Sequence, residues 1–312
     1  MVNAKEFVSI VPPSDSRPKA AFHSGTAGLQ PVSGCRICFY LDATNTAQML
    51  RDNFSLETWL AIGATIQGLA FLVAGRLALV PAVAYIIYHT LDAYAMSTGW
   101  KRNRYMDNVV MKKFSAAFPD ENGHQTNKPA NDDVVVFLIG TRCNHPLGLL
   151  APGAKDMGGF MIQMVKDLEE HAEEFGFLGM TSWINTTDRT SKSELMEVGY
   201  FRSVEGLHAF SASKYHRDAW NWWNKNTKKY PHISIYHETY HVPKGHWEAI
   251  YVNSHLSGIT STTSRYIDET TGEEKWASPV VDASKGLMKT SGGRMARSKG
   301  DEHDKYGEDP YQ

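Results

Sequence analysis

Asp133-Val134-Val135-Val136-Phe137-Leu138-Ile139 is short, β-branched and apolar after its first position, and it runs into Gly140. A short apolar run bounded by turn residues predicts a buried strand. Downstream, Phe160, Met161, Met164, Val165 and Leu168 recur at helical spacing until Gly176 stops the pattern. Residues 177–184 and 195–202 read as two further strands joined by the polar connection 185–192. Val204 to about Lys228 has a helical pattern, Pro231 ends it, and Ile233 to Asn253 carries one long strand or a hairpin broken at Pro243-Lys244-Gly245. The order is β-α-β-β-α-β, the ferredoxin-like split βαβ unit of an α+β fold, expected over 133–257. Two such sheets can pack face to face as a dimeric α/β barrel. The chain carries one clear copy, so a homodimer is the expected route, with the hairpin region as an alternative way to close the sheet.

Working outward from that unit, residues 98–132 read as a linker whose most polar part is DENGHQTNKPANDD. Before it, 55–97 is an apolar helical hairpin. From Trp59 to Leu91 the chain is almost wholly apolar, interrupted at Gly75-Arg76 and again at Pro81. Each half is shorter than the roughly 20 residues that cross a bilayer as a helix, so a re-entrant hairpin or a monotopic anchor in one leaflet is expected. An arginine at the bilayer centre is costly, which weighs against a full span. Trp100-Lys101-Arg102-Asn103-Arg104-Tyr105 and Lys112-Lys113 then supply the aromatics and cations of a membrane interface. The expectation is an intracellular, membrane-associated protein on the cytosolic face, the endoplasmic reticulum being one such membrane. A hairpin packed on the soluble domain, or buried in an oligomer, is the alternative. Residues 1–54 form a polar arm without a signal peptide. Residues 258–312, Ser/Thr-rich and then charged, read as a mostly disordered tail.

The 312 residues carry 32 basic against 34 acidic side chains, a formal charge of −2, which leaves no electrostatic footprint for nucleic acid. Cys35, Cys38 and Cys143 are too few for a disulfide framework, and the Cys35/Cys38 pair lacks a second pair for zinc; a reducing compartment is implied.

Two histidines remain to be explained. On the second helix His216 shares a face with Ala209, Ala212, Trp220 and Trp223, at offsets of four and seven residues, and so points inward. On the last strand, alternation puts Ile233, Ile235, His237, Thr239 and His241 on the core side. Inward-facing imidazoles on adjoining elements suit metal ligation or proton transfer, and one histidine in a large apolar pocket is what haem requires. Packing within a core is the bland reading of the same residues. His145 before Pro146 reads as a loop residue at the edge of that pocket, and Asn144 and Trp223 as further lining.

The residues around this pair resemble a known family. Gly199-Tyr200-Phe201-Arg202-Ser203-Val204-Glu205-Gly206-Leu207, then Lys214-Tyr215-His216, then Ile233-Ser234-Ile235-Tyr236-His237-Glu238-Thr239, is similar to the C-terminal part of the haem-containing aldoxime dehydratases. The resemblance implies haem b held by His216 as proximal ligand, beside Trp220 and Ala212, with His237 as the distal acid/base. Leu138-Ile139-Gly140-Thr141 resembles the family's strand end, with Thr141 in place of its substrate-binding serine. The dehydratases' N-terminal repeat is largely missing.

Residues 54–257 taken together are more closely similar to a second family. It is the monooxygenase-like family of dimeric α/β-barrel proteins encoded in fungal secondary-metabolite clusters. It implies an oxygenase of a lipophilic metabolite in which His237 moves protons while Thr141, Arg142 and Asn144 orient substrate or oxygen. A haem dehydratase, a cofactor-free barrel oxygenase and a non-enzymatic lipid-binding protein are the alternatives.

Overall fold

The apolar run that begins at Val134 becomes the strand on which the rest is assembled. In the computed structural model, which describes residues 7–17, 51, 53–186, 194–298 and 309–311, β1 (Val110–Ala116) is followed by β2 (Val134–Cys143), β3 (Phe177–Ile184), β4 (Leu195–Phe201) and β5 (Ile233–Val242). The last four form one antiparallel sheet in the order β3-β4-β2-β5. Helix α3 (Ala154–Glu170) crosses from β2 to β3, and α4 (Val204–Ala212) with α5 (Lys214–Asn226) crosses from β4 to β5. This is the ferredoxin-like α+β unit, and β2 holds its centre. Cys35, Cys38 and most of the expected N-terminal arm lie outside the described residues, as does part of the 185–192 connection.

Alternation along the strands divides the sheet into two faces. Val135, Phe177, Met180 and Phe201 point to one face, where Val165, Leu168, Phe175, Leu207 and Phe210 of the helical layer close over them as the main core. Fully burying one such aromatic contributes about 1.5–3 kcal/mol, so this layer dominates the unit's stability. The expected single helix of 204–228 is two. Ser213 takes an extended backbone (φ −72°, ψ 167°) and its hydroxyl donates to the Phe210 carbonyl at 2.7 Å, competing with the helical ladder.

The opposite face is covered at one end only. β1, β6 (Tyr251–Ser254) and β9 (Val280–Asp282) make a second sheet in the order β6-β1-β9. Ala116, Phe118, Trp247 and Ile259 pack from this side on Val134 and Leu178. At the other end Trp183 stays about half exposed. The expected linker 98–132 therefore carries a central strand. Its Lys112-Lys113 pair hid a strand whose buried residues begin only at Phe114 and run to Pro119.

The expected disordered tail is also ordered as far as residue 298, with β7 (Ser264–Ile267) and β8 (Glu274–Ala277) paired, and β9 and α6 (Ser291–Arg294) after them. Thr260 and Thr262 can be buried because they bond backbone: the Thr260 hydroxyl donates to the Ser257 carbonyl at 2.8 Å and the Thr262 hydroxyl to the Ile259 carbonyl at 2.7 Å. At the other terminus, Ser14 N–H donates to the Trp276 carbonyl, so part of the N-terminal arm is a bridge on this tail.

Between arm and unit stand α1 (Leu56–Ala74), a 3₁₀ turn over Gly75–Leu79, and α2 (Val80–Ser97). Gly75 has φ 55°, and the Gln67 side-chain amide donates to the Ala78 carbonyl at 2.9 Å, so the chain turns there. Gly206 makes a different demand on the packing. A Cβ there would lie 2.3 Å from the Phe175 carbonyl oxygen, which forces α4 off the core. Gly206→Ala should therefore destabilise the protein by about 1–3 kcal/mol, read as a lowered urea midpoint; an unchanged midpoint would show that α4 has room to move.

Candidate functional site

His216 lies in the first turn of α5, where the chain restarts after Ser213, and is half-buried against Phe210 and Trp220, with ring centroids 6.1 and 6.3 Å away. It lines a cavity of about 280 Å³ with Ser211, Arg217 and Trp220. Burial holds its pKa below the ordinary histidine value; a backbone hydrogen bond at Ser211 opposes the shift, and the nearby His237 adds to it. A neutral imidazole keeps a lone pair on one ring nitrogen. That is the state needed to accept a proton or ligate a metal.

His237 sits opposite Ile139 on β5, its ring 5.8 Å from Phe137. It is on the helix-facing side, as alternation predicts, but β5 is an edge strand and the residue is exposed. The two predicted imidazoles do come together electrostatically, one from the helix layer and one from the sheet.

Other predicted site residues are dispersed. Thr141 shares the helix-facing side with His237, and its hydroxyl donates to the Ser234 carbonyl at 3.0 Å. Arg142, one residue on, must point to the opposite face, where it lies 3.7 Å from Glu194, to which the Tyr236 hydroxyl donates at 2.8 Å. It cannot share a substrate with His237 through the sheet, and that assignment is corrected. Asn144 and His145 lie beyond the Cys143–Ile233 pair, about 13 Å along the strands from His237. There Asn144 N–H donates to the His232 carbonyl and the His145 ring lies tilted against His232 at 4.9 Å, so the loop closes a strand end. Trp220 is more than half exposed at the cavity, Trp223 is half-buried further along α5, and Ala212 is exposed at the end of α4, its carbonyl accepting from Arg217. Ala212 leaves the expected face because the helix breaks beside it.

One residue was missed. Glu197 is buried on the helix-facing side of β4, in the cross-strand row Ser182, Glu197, Ile139 and His237, and accepts from the Ser182 hydroxyl at 2.6–2.7 Å. A charged residue within Leu-Met-Glu-Val-Gly-Tyr-Phe, at the alternate position shared with Gly199 and Phe201, was the available signal. A second cavity of about 510 Å³ lies between the sheet's other face and the second sheet. It is less suited to chemistry: burial pushes the Tyr200 hydroxyl up to about 12, and Glu248 accepts from Arg294 at 2.5 Å.

Comparison with known proteins agrees with the sequence resemblance. Residues 134–259 match the model of the Monooxygenase af470-like family, the segment that holds the whole four-stranded unit. The chain is 28% identical over 259 residues to Monooxygenase af470 of Aspergillus fumigatus, an alignment covering 83% of this chain and 93% of that protein. Among solved structures, an aldoxime dehydratase shares 14% identity at a TM-score of 0.34, covering 46% of this chain and 43% of its own. SnoaB, a cofactor-independent oxygenase from Streptomyces nogalater, shares 9% at 0.24, covering 35% and 91%.

The depressed pKa of His216 makes a signed expectation. Between its native value and the ordinary value of about 6.5 the unfolded chain binds more protons, so stability falls as pH drops through this window. His216→Gln removes the component, and its urea midpoint should decline less steeply below neutral pH than that of the unaltered protein. Parallel declines would show that His216 titrates normally.

Proposed function

We propose that the protein is a monooxygenase of a lipophilic small molecule, working at the cavity lined by Ser211, His216, Arg217 and Trp220, with haem held by His216. The observation that carries this reading is the half-buried imidazole of His216, kept neutral and lying near a second imidazole, His237, inside the monooxygenase-like segment. The residues present fit haem: the neutral nitrogen of His216 would hold it, with the flat Trp220 surface beside that imidazole and Arg217 at the cavity edge for a carboxylate. At about 280 Å³ the cavity is at the lower limit for pockets that enclose small ligands. Haem, when bound, would supply the oxygen and electron-transfer chemistry.

The chain's own residues would handle binding and protons. His237, exposed above Phe137, is free to exchange a proton with substrate and solvent. Trp220 presents apolar surface to a lipophilic substrate, and the buried Phe210 packs beside His216 and limits water there. Thr141, its hydroxyl bonded to the Ser234 carbonyl, lies on the His237 side of the sheet. Glu197 fixes Ser182 in the His237 row and serves as a positioning residue.

The small volume favours one other arrangement, an oxygenase without haem in which His216 and His237 deprotonate the substrate directly. The proposal also includes a homodimer through the open end of the outer sheet face, where Trp183, Leu138 and Met196 form an apolar surface.

An absorption spectrum of the purified chain after incubation with haem separates the readings. A Soret band lost in His216→Ala is expected; failure of the unaltered protein to take up haem overturns the haem assignment. Against a panel of lipophilic substrates, His237→Ala should slow oxygen uptake by about 10²–10⁴-fold, and unchanged turnover would remove His237 from the proton chemistry.

A further inference from the structure

The helices α1 and α2 carry more exposed apolar surface than any other part of the described chain. No residue of α1 is buried, and on α2 only Asp92 is. Ile66, Leu69, Leu72 and Val73 on α1, and Leu77 and Ile86 after the turn, are each more than half exposed. Those named on α1 share one face, and the exposed Leu56, Leu60 and Phe71 lie across from it, so apolar residues run round α1 instead of along one stripe. A helix that docks on one protein surface, or lies flat in a headgroup layer, needs an apolar stripe and a polar back. A helix apolar on all sides suits a solvent that is apolar on all sides.

Its polar atoms are treated as hydrocarbon requires. The Thr65 hydroxyl donates to the Ala61 carbonyl at 2.8 Å and the Gln67 amide to the Ala78 carbonyl at 2.9 Å, both within the hairpin. Gly75 and Arg76 form the tip. Glu57 and Trp59 on α1, and Tyr94, Trp100, Lys101, Arg102 and Tyr105 at and after the end of α2, lie toward the base, while Tyr88, His89 and Thr90 lie midway along α2, all exposed. The buried Asp92 carboxylate accepts from Lys101 and, at 2.6 Å, from Arg104, which locks the base loop onto α2.

We propose that this hairpin crosses a phospholipid bilayer twice, with both ends on one side and the Gly75-Arg76 tip at the opposite headgroups. The 19 residues of α1 extend about 28 Å, close to the roughly 30 Å hydrocarbon core, and the long Arg76 side chain covers the remainder. The doubling back at Gly75 is what removes the objection to a charged residue here: Arg76 is at the end of two spans, not in the middle of one. At half depth it would sit at the bilayer centre, where arginine is most costly.

The hairpin base is tied to the oxygenase unit. The buried Asn53 side chain donates to the Leu147 carbonyl at 3.0 Å and accepts from Leu149 N–H at 2.8 Å, and a Cβ on Gly148 would lie 2.0 Å from the Asn53 oxygen. Insertion therefore holds the loop after β2 near the bilayer surface.

The test uses the full chain made in the presence of phosphatidylcholine vesicles and floated after an alkaline carbonate wash. Co-flotation is expected, and Leu72→Arg with Ile66→Asp should lower the vesicle-bound fraction about a hundredfold or more without changing activity in detergent. In a chain whose three native cysteines are alanine, Arg76→Cys should resist an impermeant maleimide added outside and react once detergent opens the vesicles. Reaction from outside in bound protein overturns the double span in favour of a shallow anchor. Protein that stays out of the floating fraction as a folded oligomer overturns membrane insertion altogether. Haem uptake and turnover in detergent report separately on the oxygenase reading.

Discussion

The two-residue period of β2 is the constraint from which the rest follows. The strand pairs with β4 on one side and β5 on the other along most of its length, and Val134 and Val135 are fully buried on opposite faces. One parity packs under the helices and the other faces the second sheet. A shift of one residue would exchange both cores at once, so register here is set by burial on both sides. The same parity decides what the strand can offer to chemistry: Thr141 stays with His237, while Arg142 turns to Glu194 and Tyr236.

The candidate site grows out of a break in the helical layer. If α4 and α5 were continuous, Ala209 and Ala212 would share the face of His216. Ser213 restarts the helix instead, and His216 enters in a first turn, close to Phe210 and beside Trp220. Desolvation then does to this imidazole what no sequence motif could guarantee: it favours the neutral form. His237, by contrast, owes its exposure to its place on an edge strand. Two histidines on the same side of a fold thus acquire unequal environments, one protected and one open to solvent.

Where sequence patterning failed, hydroxyl groups and short strands were responsible. The tail after 258 looks polar, yet Thr260, Thr262, Ser264 and Ser284 are buried, with Thr260 and Thr262 bonded to nearby carbonyls. β1 carries two lysines and little apolar surface, and its pairing partners, β6 and β9, are far away in sequence. Neither segment has a period strong enough to announce itself. Glu197 was passed over for a related reason: one carboxylate in a strand is read as solvent-facing unless its neighbours across the sheet are known.

The sequence by itself determined the β-α-β-β-α-β order, the strand parity that puts His237 and Thr141 on one side, and the apolar hairpin broken at Gly75, because periodicity and backbone stereochemistry are local properties. Only the tertiary structure decided that a second sheet covers one end of the outer face, that Arg142, Asn144 and His145 stand apart from the imidazoles, and that Glu197 lies in the His237 row. Those outcomes depend on which distant segments pair and which surfaces are left uncovered, and burial of that kind is a property of the assembled fold.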